Sequence, residues 1–303
     1  MIPLSFVGGV LLTAVLAAAI VAGRGHSNSP FRFQFLAWPI GVGLAFFVGA
    51  LVYSGRPRWP FLKENEDRFL AVLIPLVTWI EALGLLSKPW FAWPGRLLVA
   101  LVATPVLLFG STYFEAWTPA QASLWFGGLA GCLMLAWVSL DRQVRHLPPR
   151  TVVLGLAGVN AGAGLTLMFA GYATGGPLGI ILAVALATTA LVTPRSIPPE
   201  PLTAAAGIGL VGLFALLVSG HFFAALSLDH AAILFATPLL AWILVLPRIR
   251  RTALLRLAVL VLEAIPVLGI VGLAWKRSEE PEPPRQVVDD GGYSPADYQN
   301  FGK

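Results

Sequence analysis

Charge is scarce in this 303-residue chain: Lys, Arg, Asp and Glu together supply 12% of it. A soluble domain carries about 25%, because something polar must face water, so a soluble fold is excluded. A single cysteine, Cys132, excludes an internal disulfide. It sits in the apolar run Gly131-Cys132-Leu133-Met134 and reads as a small core residue ahead of a reactive thiol. The four histidines, His26, His146, His221 and His230, fall in expected loops or at a span start. No His-x-x-x-His, Cys-x-x-Cys or Asp-x-x-Asp spacing occurs, so the common metal and carboxylate-pair signatures are missing and no metal or other cofactor is expected. His221, Asp229 and His230 bracket one segment but would under-ligate a metal or haem. No glycine-rich loop ends in Lys-Ser or Lys-Thr, which disfavours ATP-driven work by this chain alone. With no catalytic cluster, a membrane-embedded enzyme is the weakest functional reading.

What is present is apolar. Hydrophobic residues make up 57% of the chain and the mean hydropathy is +0.80. A helix crosses the bilayer core with roughly 20 apolar residues, and ten such runs can be placed: 2–22, 35–54, 69–87, 95–111, 119–140, 151–171, 177–193, 201–219, 229–247 and 253–275. They are continuous instead of alternating, which excludes a transmembrane barrel. Lipid offers the backbone no hydrogen-bond partners, so each run must close its bonds as a helix. The expected fold is an all-α integral membrane protein, a polytopic bundle of about ten transmembrane helices over residues 1–275. No Lys or Arg precedes the first run, and at about 21 residues it exceeds the 7–15 of a signal core, so it reads as a retained span. Residues 276–303 are polar and rich in Pro, Asp and Glu, and read as a disordered tail.

The net charge of +5 does not point to nucleic acid, because the basic residues cluster in short loops between apolar runs. The lipid bilayer is the implied partner, with a second copy or other membrane-complex subunits as further ones. Twelve Lys and Arg residues fall on the odd-loop side, Arg96 and Arg256 among them, against four on the even-loop side, Arg56, Arg58, Lys63 and Arg68. That bias puts the odd loops in the cytoplasm and both termini outside a cell membrane. Asp141-Arg142, Arg248-Ile249-Arg250-Arg251 and Lys276-Arg277 read as stops. Trp38, Trp59, Trp90, Trp93, Trp117 and Trp275 fall near span ends and read as an interfacial belt. Segments 87–94 and 220–228 are aromatic and amphipathic, and read as interfacial, with a re-entrant turn at 220–228 as the alternative.

Two short matches recur in order. Pro39-Ile40-Gly41-Val42-Gly43-Leu44-Ala45 parallels Pro177-Leu178-Gly179-Ile180-Ile181-Leu182-Ala183, and Ala103-Thr104-Pro105 parallels Ala236-Thr237-Pro238, at offsets of 138 and 133 residues. Both link spans five apart, which suggests repeats over 1–140 and 151–275. An odd-numbered unit enters the membrane inverted when repeated. Chance recurrence of Ala, Gly, Leu and Pro accounts for the matches equally well. Pro75, Pro105, Pro238 and Pro266 fall inside spans as helix-break candidates, with an adjacent Thr hydroxyl able to satisfy part of the freed backbone at Thr104-Pro105 and Thr237-Pro238. Gly127-x-x-x-Gly131, Gly158-x-x-x-Gly162 and Ala205-x-x-x-Gly209 are spaced for close helix contact. Ten spans in two inverted halves resemble the general plan of drug/metabolite-type carriers, a likeness of architecture alone.

Three polar residues within the spans stand out. Glu263 lies at the centre of 253–275, three residues before Pro266, where a charge costs about 3 kcal/mol on insertion scales. It is a candidate proton carrier, or a neutral acid bonded to a neighbouring helix. Glu81 lies past the centre of the third span. Asn160, flanked by small residues, is the one mid-span carboxamide, and an interhelical hydrogen bond is its blander role. These three are the candidate transport or proton-coupling residues. The first functional reading is a secondary transporter or permease for a small solute. The alternative is a non-catalytic scaffold or accessory subunit of a membrane complex.

Overall fold

The computed structural model describes residues 4–23, 35–55, 64–87, 92–194, 197–241 and 253–279. Every regular element among them is helical. The helices are α1 (Leu4–Gly23), α2 (Ala37–Ser54), α3 (Asn65–Leu86), α4 (Ala92–Leu108), a short α5 (Thr112–Ala116), α6 (Pro119–His146), α7 (Pro149–Phe169), α8 (Gly175–Val192), α9 (Pro199–Phe223), α10 (Leu228–Leu240) and α11 (Ala253–Glu279). Seven of them (α1, α2, α3, α6, α7, α8 and α9) are long and apolar enough to cross a membrane. This is the build of a helical multi-pass membrane protein. Helices α4 and α10 are shorter apolar helices, and with α11 they cover the fourth, ninth and tenth runs expected from the sequence.

Helix starts follow local chemistry. Thr118 and Gln121 form a reciprocal capping box at the head of α6, with Pro119 in its first turn, so two orphan amide groups are satisfied. Prolines Pro149 and Pro199 open α7 and α9, where a missing N–H costs nothing. Pro75 sits just after a wide turn of α3, Phe69–Leu73, in which the Ile74 amide reaches back five residues to the Phe69 carbonyl. That π turn absorbs the bond proline cannot make. Pro105, Pro238 and Pro266 lie inside α4, α10 and α11 without ending them. The Thr237 hydroxyl donates to the Ile233 carbonyl at 2.8 Å. The Thr104 hydroxyl is buried without a partner, so the two Thr-Pro pairs do not behave alike.

Helix α9 is the axis of the molecule. From Pro201 to Gly220 every residue is buried, and α2, α3, α4, α6, α7, α8 and α10 pack around it. Its sequence carries no charge after Glu200 and is apolar on all sides, as a fully enclosed helix must be. Gly207, Gly209 and Gly212 let Glu81, Leu186 and Leu182 come within the space that a Cβ would take. Around it, α1 pairs with α2 and α8, and α7 with α8, α9 and α11. Helices that a five-plus-five relation would equate do meet, α2 on α8 and α3 on α9. However, α7 packs broadly on α9 and α11 while the principal neighbours of α1 are α2 and α8.

Several sequence expectations are corrected. Asp141-Arg142 does not stop α6, which runs to His146 with an Asp141–Arg145 ion pair at 2.9 Å on its last turns. Lys276-Arg277 likewise falls inside α11. Trp38 is not interfacial: it is wholly buried, and its indole N–H donates to the Thr193 hydroxyl at 2.8 Å. Cys132 is exposed on the outer face of α6, not in the core. Gly127 and Gly131 face open space, so they form no seam with the described residues. The close seams lie elsewhere: Gly164 of α7 against Gly176 and Gly179 of α8, and Gly155 and Gly162 of α7 against Glu263 and Val267 of α11. Residues 220–228 do not re-enter the bundle. Helix α9 runs through Phe223 and a short link, pinned by the Leu226 amide on the Gly220 carbonyl, leads to α10. Trp59, Trp90, Arg248, Arg250, Arg251 and the tail 280–303 lie outside the described residues, as does the side chain of Arg256.

Candidate functional site

Glu81 and Arg96 meet across the α3–α4 hairpin. Each sits about 6–8 Å in from the shared end of its helix at 1.5 Å per residue, so the antiparallel pair brings them to one depth. The Arg96 Nε and Nη2 donate to the two Glu81 oxygens at 2.9 and 2.8 Å, a bidentate fork. Glu81 is 2% exposed and Arg96 6%. The Trp137 indole of α6 donates to Glu81 Oε1 at 3.1 Å, and Arg96 lies over the rings of Trp93 and Trp137 at 5.1 and 5.5 Å. Gly207 of α9 closes the fourth side, where a Cβ would crowd the carboxylate. Arg96 is therefore not the loop charge that the orientation tally took it for. Removing it and the buried Arg68 leaves eleven against three, and the bias keeps its direction.

Replacing Trp137 with phenylalanine should cost about 1.5–3 kcal/mol, the range for a hydrogen bond to a charged group. Thermal unfolding of the detergent-purified variant checks it.

Asn160 is fully buried between α7 and α9. Its Nδ2 donates to the Leu156 carbonyl at 2.9 Å and to Gly209 of α9 at 3.3 Å, while its Oδ1 has no partner. Glu263 is buried on the far side of α7, against Gly155, and its Oε2 also lacks a partner. Glu81 and Asn160 touch α9 at Gly207 and Gly209, and Asn160 and Glu263 share α7. Two helices thus separate the three residues that the sequence singled out, and they do not converge on one cavity. Of the proline candidates, Pro75 lines an apolar groove between α2 and α3, and the Pro238 carbonyl accepts from Gln143 Nε2 at 2.8 Å.

Polar groups converge instead at the opposite end of α9, in a place the sequence reading treated as loops. A cavity of about 290 Å³ is lined by Glu64, Asn65, Glu66, Arg68, Gly110, Ser111 and Phe223. The Arg68 guanidinium donates to the carbonyls of Val106, Leu107 and Phe109, which the end of α4 leaves without intrahelical partners. Beside the cavity, Asn65 donates to the Tyr172 hydroxyl at 2.8 Å, and Thr174 donates to Glu66. Burial, with the Glu66 charge adding, holds the Tyr172 phenol far above its usual range. Three connections are thereby tied together beside the tip of α9.

Among the described residues no group of three or more His, Cys, Asp or Glu is placed to hold a metal ion. No family model matches the sequence, and no curated protein or solved structure does either.

Arg96, Trp137 and the Glu64–Arg68 segment are the site residues that sequence reading missed. The sequence carries little signal for the first: in the expected spans Glu81 stands six residues from one end and Arg96 one residue from the other, and only the observed helix ends, Leu86 and Ala92, bring them to one depth.

Proposed function

We propose that this protein is a secondary carrier or permease for a small solute, working by alternating access about α9, with about ten spans and both termini outside. The observation that carries the reading is the contrast between the two ends of α9. In its N-terminal half, about 12 Å in from Pro199 at 1.5 Å per residue, α9 packs on a dry bidentate ion pair clamped between indoles, and its C-terminal end meets a polar cavity. A buried ion pair is weak evidence for stability, because desolvation offsets its attraction; its best-attested use is in fixing register or switching. A lock that holds one end closed fits that use.

Two engineered cysteines test the reading, in a background with Cys132 replaced by alanine. Ser111→Cys lines the polar cavity, and Ala204→Cys lies one helical turn from Gly207 on the α9 face towards Glu81. A membrane-impermeant maleimide should label Ser111→Cys rapidly from one side and Ala204→Cys slowly from the other. The alternative, a rigid membrane scaffold, is favoured by the sealing of Glu81, Asn160 and Glu263 in separate contacts. It predicts that Ala204→Cys is never labelled in the folded protein.

A further inference from the structure

We propose that Glu263 is a site of reversible proton binding within the membrane, reactive as the free acid, and not a structural carboxyl. The inference stands independently of the carrier reading. It starts from a contrast between two buried glutamates of the same chain. Glu81 has both oxygens filled by three donors from Arg96 and Trp137. Glu263 is 4% exposed and its Oε2 has no donor. A carboxyl at that depth is costly to insert, and an unmade bond to a buried polar atom adds to the cost. A leucine would serve packing better, so the carboxyl is not there to hold the fold.

The surroundings suit a group that gains and loses a proton. Helix α11 packs against α7 and α10, while Leu257, Val261, Ile265 and Leu268 on its other face are exposed. It lies on a smooth strip of α7 in which Gly155 faces the carboxyl and Gly162 faces Val267. Pro266 cannot bond to the Leu262 carbonyl, which weakens the helix one residue from Glu263. Few charged groups compete. Arg150 is the one titratable residue of α7, roughly 7.5 Å along the axis from Gly155 at 1.5 Å per residue. Those of α10 are Asp229 and His230, both in its first turn. On α11 itself, Lys276, Arg277 and Glu279 lie in the last turn, and Arg256 precedes Glu263 by seven residues.

A hydrophobic carbodiimide tests this on the intact protein in lipid vesicles. The acid O–H adds across one N=C bond of the reagent, proton to nitrogen and oxygen to carbon, and the adduct rearranges to a stable acylurea. Only the protonated acid reacts, so above the titration point the rate should fall about tenfold per pH unit. The expected result is modification mapped to the Glu263 peptide, falling as pH rises, absent in Glu263→Gln, with Glu81 unmodified. Should Glu263→Gln fail to fold, peptide mapping and the pH profile of the unaltered protein decide the matter. Modification only after denaturation, or at a rate unmoved by pH, would overturn the proposal. Loss of carbodiimide reactivity leaves the maleimide result untouched, and the reverse, so the two readings fail separately.

Discussion

Glu81→Leu should destabilise the protein by about 3–5 kcal/mol, because it leaves the Arg96 guanidinium buried without its counter-charge. The double variant Glu81→Leu/Arg96→Met should recover most of that loss. With both charges gone, no desolvation remains to be offset, and similar volume fills the space between Trp93, Trp137 and Gly207. Denaturant or thermal unfolding of the four proteins of this cycle in one detergent gives the coupling energy directly. Single and double variants that lose stability equally would show that the fork is not an energetic unit. If the pair is a lock, the double variant should also change maleimide access at Ala204→Cys while unfolding near the parent temperature. A purely structural pair would restore stability and leave access as it was.

A second large effect is expected where α7 and α8 touch backbone to backbone. A Cβ at Gly164 would stand 2.5 Å from the Gly176 carbonyl and 3.1 Å from the Ile180 amide. Neither obstacle is a side-chain end that can swing away. Gly164→Ala should therefore cost about 2–3 kcal/mol, the upper part of the range for overpacking. Gly158 lies on the same helix but is exposed, with nothing within 4 Å of an added Cβ. Gly158→Ala should be neutral or stabilise by up to about 1 kcal/mol, since alanine gives up less freedom in a helix than glycine. Opposite signs for one substitution at two positions six residues apart on α7 is the outcome to look for in unfolding temperatures.

The helices were legible in the sequence because membrane spans announce themselves as long apolar runs, and each of the ten expected runs overlaps a helix. Their ends were less so. Asp141 and Arg142 looked like a stop, yet charged residues are free to extend a helix once it has left hydrocarbon, and α6 continues to His146. Burial direction was the harder quantity. Distance from a span end gives the depth of Trp38 but not the side it faces, and it turned out to face Thr193. Glycine spacing has the same weakness. It identifies places where a backbone can be approached, and Gly155, Gly164 and Gly179 are approached while Gly127 and Gly131 are not. Glu81 and Glu263 were picked out by depth, which ranks Glu263 as the costlier but says nothing of what surrounds either. Their difference lies in what other helices bring: three donors to one and a bare glycine face to the other.

The complete enclosure of α9 also bears on the order of assembly. An apolar helix is stable in lipid by itself, but the enclosed position of α9 exists only once its neighbours have left a groove for it. Six of those neighbours precede it in the chain and one, α10, follows. Without α9, the Glu81–Arg96 pair would lie open on the side that Gly207 covers. The bidentate pair is formed within the single α3–α4 hairpin, so its two charges can neutralise one another before α9 is in place.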